Sequence, residues 1–366
     1  MEKHTLDYIK PDNNLHFYKL SIAPMLGITT YHFRTLIRLL SKQILLYTEM
    51  INQNAILNSS YDVLEYTSYH KPLVLQIGGN SSEKINKCIE FIKEKNYNYD
   101  EINLNCGCPD DKVNKNLFGA YLMKEPKLVS NIIQKINNYF YSSIKCRIGI
   151  DKYDKNFLEN FIDITNKEGK CQKYIIHSRL CLMGLDTIKN RTIPKLDYNI
   201  VEELNNKYNN NSNSEEKEKN IIFVVNGGIK TLSEVEDFNK KGIGVMIGRQ
   251  AYNNPYMFKD VDKKIFLKSY SNNILNRKEL LLNYSDACVN YINNKEYLKS
   301  NLIGDLIKPL TNLFYNEPNN NLYKELLNSI LYKKEKNKNI LFDSFQDHIY
   351  NIVEKFEKIN FSSLNN

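Results

Sequence analysis

Strand-like apolar runs alternate with amphipathic helical stretches between residues 20 and 248, and this alternation limits the possible folds more than any other feature. Such a pattern is typical of parallel sheets in which a helix connects each strand to the next. The predicted strands are Leu20–Pro24, Ile44–Met50, Leu73–Gly78, Glu101–Cys106, Ile144–Gly149, Tyr174–Ser178, Ile221–Asn226 and Gly244–Gly248. The predicted helices are Tyr31–Leu40, Ser82–Lys95, Pro126–Tyr139, Lys155–Asn166, Asn199–Asn206 and Leu232–Lys240. The pattern predicts an α/β fold, a (β/α)8 TIM barrel, with a catalytic domain over residues 15–260.

A doubly wound parallel sheet is the competing fold. It usually carries a G-x-G-x-x-G motif after its first strand, where main-chain groups bind a pyrophosphate. This chain has Ala23-Pro24-Met25-Leu26-Gly27 at that place. The barrel is therefore the expected architecture.

Two segments lie outside the alternating pattern. Residues 205–220 are Asn-rich and charged, so they cannot bury an apolar face, and we expect a disordered insertion before the seventh strand. After about Phe258 the strand pattern ends, and residues 273–361 repeat apolar side chains at helical spacing. We expect a small all-helical C-terminal domain whose apolar stripes form its own core.

Composition narrows the functional classes. The 366 residues carry 50 Lys+Arg against 42 Asp+Glu, a formal net charge of +8 that permits nucleic-acid binding without requiring it. Only seven of the basic residues are arginine, and Arg147, Arg179, Arg191 and Arg249 fall in the motif segments described below; guanidinium groups suit phosphate or base edges. Seven scattered cysteines favour a reducing compartment over a disulfide framework. With no long apolar run and no apolar leader in residues 1–11, we expect a cytoplasmic protein without a membrane segment, an organelle being the alternative.

Functional groups of a TIM barrel lie at the carboxyl ends of its strands. Cys108, held between Gly107 and Pro109 after the fourth strand, has little packing freedom and is the candidate reactive group. Cys106 should point into the barrel wall or core and is expected to be structural, as free cysteines usually are. Because no second Cys or His pair is nearby in sequence, these two thiols do not predict a metal site.

Other strand ends carry groups that suit a flat, phosphate-bearing cofactor. Lys145 lies inside an apolar strand, where an unpaired ammonium is costly, so a functional role is the better interpretation. Gly227 and Gly228 end the seventh strand, and Gly248 and Arg249 end the eighth; the loops after these two strands form the recurrent phosphate site of the fold. FMN has one phosphate and a flat ring system, so it is the expected cofactor, with Lys145 placed to stabilise the anionic reduced flavin.

The order of these motifs resembles that of tRNA-dihydrouridine synthases, most closely the bacterial A-type subfamily, tRNA-dihydrouridine(20/20a) synthase. The matching segments are 23–26 (APML), 75–79 (LQIGG), 101–109 (EINLNCGCP), 145–149 (KCRIG), 176–179 (IHSR), 190–198 (NRTIPKLDY), 226–229 (NGGI) and 244–249 (GVMIGR). Together they span most of the predicted barrel.

The resemblance implies a flavoenzyme that reduces the C5=C6 bond of a uridine in the tRNA D-loop, with NADPH reducing the flavin. It implies that Cys108 is the general acid that protonates C5. The residues that it implies for FMN binding are Pro24, Met25, Leu26, Gln76, Lys145, His177, Asn226, Gly227, Gly228, Gly248 and Arg249. The residues that it implies for substrate contact are Asn105, Arg191, Lys189 and Arg179.

Two other functions stay open. One is an FMN-dependent barrel that acts on a small molecule, of the dihydroorotate dehydrogenase or ene-reductase type. The other is an RNA-binding chaperone without catalysis. The helical tail, the basic charge and Arg191 favour an enzyme that binds tRNA over the small-molecule alternative, with the helical domain holding the tRNA through its phosphates. We expect the enzyme to be a monomer.

Overall fold

The computed structural model describes residues 18–110, 117–210, 221–268, 275–293, 302–332, 338–358 and 364. Eight parallel strands lie in the order β1-β8-β7-β6-β5-β4-β3-β2. The strands are β1 (Leu20–Ile22), β2 (Leu46–Asn52), β3 (Leu73–Gly78), β4 (Glu101–Asn105), β5 (Ser142–Arg147), β6 (Lys173–His177), β7 (Ile222–Asn226) and β8 (Gly244–Ile247). A parallel bridge between Ser21 and Leu45 joins β1 to the start of β2 and closes the barrel. The predicted TIM barrel is confirmed.

Helices connect the strands and cover the barrel. They are α1 (Tyr31–Leu40), α2 (Gln53–Asn58), α3 (Ser82–Glu94), α4 (Pro126–Asn137), α5 (Lys155–Lys167), α6 (Lys189–Thr192), α7 (Asn199–Asn205), α8 (Leu232–Lys240), α9 (Arg249–Asn253) and α10 (Val261–Lys264). Short 3₁₀ turns are Ser68–His70, Gly119–Lys124 and Pro255–Phe258.

Local sequence signals fix several of the helix starts. The Ser81 hydroxyl accepts from the N–H of Lys84 at the start of α3. At the start of α8, the side chains of Thr231 and Glu234 each accept a hydrogen bond from the other residue's main-chain N–H, which is a capping box. These caps satisfy N–H groups that have no partner within the helix.

The interior of the barrel has an apolar layer with polar groups on both sides of it. The buried residues of that layer are Ala23, Leu45, Tyr47, Val74, Ile175, Val224 and Met246. At the amino ends of the strands, Lys173 and Glu101 form a buried ion pair with Nζ and Oε2 2.7 Å apart. The layer is interrupted at β4 and β5, where the buried polar side chains of Asn103 and Ser143 lie.

The chain after the barrel is helical, as predicted. Its elements are α11 (Arg277–Asn293), α12 (Leu302–Ile307), the 3₁₀ turn Lys308–Leu310, α13 (Asn320–Ser329), the 3₁₀ turn Ile330–Tyr332 and α14 (Lys338–Lys358). Apolar side chains of the stripe, such as Leu281, Leu310 and Phe314, are fully buried. The region also packs against the barrel, because the ring of Tyr291 stacks on Tyr31 with ring centroids 3.8 Å apart.

The predicted disorder of residues 205–220 is wrong for its first part. Residue 205 ends α7, and a turn of π-helix follows over Asn206–Asn210. Asn209 Nδ2 donates to the carbonyl of Ile221, and the N–H of Ile221 donates to Asn209 Oδ1, so this amide pairs like a strand partner. The Tyr208 hydroxyl donates to Asp163 at 2.8 Å. Side-chain hydrogen bonds therefore order a segment whose composition indicated disorder, whereas residues 211–220 lie outside the described part of the chain.

Across the described ranges, no helix combines the length and the apolar character needed to cross a bilayer.

Candidate active site

Cys108 lies just after β4, at the carboxyl end of the barrel. It is half-buried, whereas the other six cysteines, Cys106 among them, are buried and free. Burial raises the pKa of Cys108, and the nearby cations of Arg147 and Lys145 oppose that rise. The thiol is therefore protonated at neutral pH and is accessible, which are the two properties that a proton donor needs.

The amide of Asn105 fixes the main chain around Cys108. Asn105 Oδ1 accepts from the N–H of Cys108 at 3.0 Å and from the N–H of Gly107 at 3.2 Å. Asn105 Nδ2 donates to Oε1 of Gln76 at 2.9 Å. The two amides predicted at the site thus lie next to each other, and Asn105 binds the cysteine loop directly.

Arg147 binds the same loop from the other side. Its guanidinium donates to the carbonyls of Gly107 at 3.0 Å, Leu180 at 2.7 Å and Asn190 at 3.1 Å. The planar fork of arginine suits several fixed acceptors at once. Arg147 therefore joins the loop after β4 to the long loop after β6. Sequence reasoning noticed this arginine at a strand end but did not assign it to the site.

Lys145 and His177 present unused polar atoms at the barrel mouth. Neither side chain makes a hydrogen bond or ion pair with any residue in the described ranges. Burial, and next the charge of Arg147, lower the pKa of Lys145 to about 8. Burial and the surrounding cations, of which Arg147 acts most strongly, lower the pKa of His177 well below its ordinary value, so the imidazole is neutral.

The loops after β7 and β8 expose main chain in the way predicted. Gly227 and Gly228 have φ values of +111° and +74°, which L-residues rarely adopt. The hydroxyl of Tyr198 donates to the Gly227 carbonyl at 2.5 Å and holds this turn. Gly248 follows β8, and the side chain of Arg249 is exposed beside it. Exposed amides next to an arginine suit a phosphate.

These groups meet around one barrel mouth. Arg191 lies within electrostatic range of both Cys108 and Arg249. Arg179 is within range of Arg249, and His177 is within range of Lys145. The structure therefore brings the candidate acid, the candidate ring-binding groups and the candidate phosphate-binding groups to the same end of the barrel.

The remaining predicted site residues lie at the rim or in the wall. Pro24 and Met25 are half-buried after β1, and the buried amide of Asn226 donates to the carbonyl of Met246 at 2.8 Å. Leu26 is 83 % exposed, and its contact with a cofactor stays a prediction. Lys189 is exposed, with Nζ 3.8 Å from a carboxylate oxygen of Asp186.

Two more rim groups have partners of their own. Arg191 donates to the carbonyl and hydroxyl of Thr187 at 2.7 and 3.0 Å. Arg179 donates to the carbonyl of Pro194. Both guanidinium groups are therefore held in place beside the opening rather than free in solvent.

The donors of this mouth fit FMN. A half-buried lysine without a partner among the described residues is costly, and a polar ring atom of a ligand would relieve that cost. The glycine turn, which adjoins His177, and the exposed Arg249 offer donors that suit a phosphate. No group of three or more His, Cys, Asp or Glu side chains in the described ranges could hold a metal ion.

Comparison with known proteins decides the family. The family model described as "Dihydrouridine synthase (Dus)" matches residues 21–350. The chain belongs to the dihydrouridine synthase family. The resemblance read from the motifs is thereby confirmed, and so is the enzyme class: the chain is an oxidoreductase that makes dihydrouridine.

Related dihydrouridine synthases match most of the chain. A protein of Vibrio parahaemolyticus is 34 % identical over 333 residues, covering 90 % of this chain and 96 % of its own. A protein of Shewanella oneidensis is 38 % identical over 291 residues, covering 78 % and 82 %. A protein of Salmonella typhi is 40 % identical over 253 residues, covering 68 % and 73 %. Each is named a tRNA-dihydrouridine(20/20a) synthase.

Sequence reasoning missed three polar residues beneath this dihydrouridine synthase site. Glu101, Asn103 and Ser143 are buried in the barrel interior and connect to Gln76 by hydrogen bonds. A signal was present, because Glu101, Asn103 and Asn105 alternate along β4 and so share its inward face. Three polar side chains on the inside of a buried parallel strand are unusual.

Proposed function

We propose that the enzyme reduces the C5=C6 bond of uridine in the D-loop of tRNA, at or near position 20, with FMN as cofactor and NADPH as reductant. The observation that supports this most directly is the protonated, half-buried thiol of Cys108 near Lys145, an amine with no hydrogen bond or ion pair to the described residues. The names of the relatives supply the tRNA and the position. When bound, FMN would supply the hydride that C6 accepts.

Cys108 completes the reduction with a proton. Its S–H bond breaks as a C–H bond forms at C5, and the electron pair stays on sulfur as a thiolate. The cations of Lys145 and Arg147 stabilise that thiolate, since both favour the charged form of Cys108. Solvent then returns the proton to sulfur before the next turnover.

The residues proposed to hold FMN divide between its two ends. Lys145, His177 and Gln76 would bind the ring from β5, β6 and β3. The turn at Gly227 and Gly228 would bind the phosphate, together with Arg249. Met25 offers a polarisable apolar surface beside the ring.

The charge of the rim favours a polyanion over a small neutral substrate. Arg179 and Arg191 both lie near Arg249 at the opening: burial, and then the charge of Arg249, lower the pKa of each of these two guanidinium groups. Such a cluster attracts phosphates. A uridine of folded tRNA would have to flip out of its stack to reach Cys108. We expect a monomeric, cytoplasmic enzyme whose C-terminal helices also contact the tRNA.

The test is reconstitution with an unmodified tRNA transcript. Purified protein should be yellow, release FMN on denaturation, and form dihydrouridine from the transcript and NADPH, mapped at single-nucleotide resolution. Dihydroorotate and simple enones offered in place of tRNA should not turn over. Colourless protein, or turnover of the small molecules alone, would reject the proposal.

The matched variants Cys108→Ala and Cys106→Ala test the acid. Cys108→Ala should keep bound flavin and its reduction by NADPH, but lose turnover on tRNA by about 10²-fold or more, the usual contribution of a general acid. Cys106→Ala removes a fully buried thiol at the end of the same strand. This variant should keep the turnover of the wild type on tRNA. Wild-type rates in Cys108→Ala would show that another group supplies the proton.

A further inference from the structure

An unbroken series of side-chain hydrogen bonds runs up the barrel interior to the cysteine loop. Gln76 Nε2 donates to Asn103 Oδ1 at 2.7 Å, and Asn103 Nδ2 donates to Ser143 Oγ at 2.6 Å. The Ser143 hydroxyl donates to a carboxylate oxygen of Glu101. At its upper end, Asn105 links Gln76 to the N–H groups of Gly107 and Cys108. The floor of the barrel is thus connected to the candidate acid.

Strand register places these residues side by side. Gln76 pairs with Asn103 across β3 and β4, and Asn103 pairs with Ser143 across β4 and β5. All are buried, with 0 % exposure for Asn103 and Ser143. Because neighbouring strands lie about 4.8 Å apart, amide and hydroxyl side chains at paired positions can reach one another.

The two ends of the series admit one orientation of its amides. A carboxylate can only accept, so Ser143 donates downward and its oxygen accepts from Asn103. A main-chain N–H can only donate, so Asn105 must turn its oxygen toward Cys108. If an amide in between flipped by 180°, two donors would meet at one contact and two acceptors at the next. The flip would therefore cost at least two buried hydrogen bonds.

The lower end is firmly anchored. Glu101 also accepts from Lys173 Nζ at 2.7 Å and from the Tyr47 hydroxyl at 3.2 Å. Lys173 Nζ lies over the ring of Tyr18, 4.2 Å from its centroid. A buried carboxylate with three donors keeps its place and remains an acceptor.

We propose that Ser143 and Asn103 are positioning residues for the reduction, which fix the orientation of Gln76 and Asn105, and through them the Cys108 loop, with Glu101 as the anchor. This inference rests on the proposed role of Cys108. Neither residue contacts the reacting atoms. They hold the amides of Gln76 and Asn105 in one orientation beneath the barrel mouth. Gln76 and the main chain of Cys108 therefore keep the same hydrogen-bond partners.

Two neighbouring serines of β5 provide the test. Ser143→Ala removes the hydroxyl that joins Asn103 to Glu101 and leaves the Glu101–Lys173 pair in place. Ser142→Ala is the matched control, since Ser142 is also buried, and its Oγ has no hydrogen-bond partner among the residues that the structure describes. Asn103→Leu, of similar volume, cuts the series at a second point.

Two readouts separate positioning from a general loss of stability. The first is the rate at which iodoacetamide alkylates Cys108 without tRNA, followed at this residue by peptide mass spectrometry. The second is the division of any activity loss between kcat and KM for tRNA. Losing one buried hydrogen bond of the series should weaken the preference for the fixed amide orientation about tenfold. In Ser143→Ala and Asn103→Leu, alkylation should therefore rise several-fold and kcat should fall about tenfold, with KM within about twofold.

The outcomes are separable from those of the proposed function. Ser142→Ala should match the wild type in both readouts. Unchanged alkylation and kcat in Ser143→Ala would overturn the positioning role, even if Cys108 were the acid. If alkylation changed in Ser143→Ala while Cys108→Ala kept full activity, the series would still position the Cys108 loop. Cys108 would then be rejected as the acid.

Discussion

The imidazole of His177 lies so close to the main chain of Gly227 that a Cβ atom there would be 2.6 Å from the Cδ2 atom of the ring. The ends of β6 and β7 are therefore in direct contact, and the glycine makes this contact possible. At φ = +111° no other residue would adopt this backbone readily. The same turn carries the main-chain groups proposed to bind the cofactor phosphate.

We predict that Gly227→Ala weakens FMN binding more than it weakens the fold. The added methyl must displace the His177 ring, which costs about 1–3 kcal/mol and raises the dissociation constant by about fivefold to about a hundredfold. Gly242→Ala is the control, since Gly242 has φ = +73° and nothing within 4 Å of an added Cβ. Both variants bear backbone strain, but only the first has the collision. Fluorescence titration of flavin-free protein with FMN measures the difference, and equal affinities in the two variants would contradict the prediction.

The lowered pKa of Lys145 predicts a pH dependence of cofactor binding. In the free protein the pKa of Lys145 is about 8, so the ammonium is charged at pH 7 and loses its proton as the pH rises through 8. Binding to an electron-rich ring atom favours the charged form, so binding takes up a proton above that pH. The FMN phosphate is already ionised in this range, with a second pKa of about 6, and contributes no dependence.

The dissociation constant for FMN should therefore be flat near about pH 7 and rise by up to about tenfold per pH unit above about pH 8. Lys145→Met should bind FMN weakly at every pH and show no such rise. Lys145→Arg keeps its charge throughout and should lack the rise as well. A wild-type affinity that stays constant to about pH 9.5 would show that the charge of Lys145 plays no part in binding.

Much of the barrel could be predicted from sequence because its signals are local. The periodicity of β3, α1 and α8 gave their bounds correctly, and the glycines and cysteine at strand ends indicated the mouth. The Glu101–Lys173 pair could not be predicted in this way. Its partners are 72 residues apart, and only the closed barrel brings their strands to one interior.

For Asn205–Asn210 the sequence predicted disorder where the structure is ordered. Its polar composition indicated disorder, yet the Asn209 amide replaces a main-chain partner of Ile221 and so orders the turn. Composition reports the absence of an apolar face but says nothing of side chains that satisfy main-chain groups at a distance. The contacts of Arg147 could not be predicted for the same reason. Its acceptors are main-chain carbonyls, and the sequence does not show where these lie.

Arg147→Met tests whether Arg147 supports the Cys108 loop for catalysis in addition to stabilising the fold. It leaves carbonyls of Gly107, Leu180 and Asn190 without their charged donor, which should lower the free energy of unfolding by about 1.5–3 kcal/mol. Because Gly107 adjoins Cys108, kcat should also fall about tenfold in the protein that remains folded.

Arg38→Met is the matched control for this loss. Arg38 is a buried arginine whose guanidinium also donates to main-chain carbonyls, those of Ser41, Ile44, His70 and Pro72, at the amino end of the barrel. Removing it should cost similar stability, measured by urea denaturation, but leave kcat per folded molecule unchanged because no acceptor borders Cys108. If the two variants lost activity in parallel, Arg147 would be a stabilising residue of the barrel and not a support of the acid.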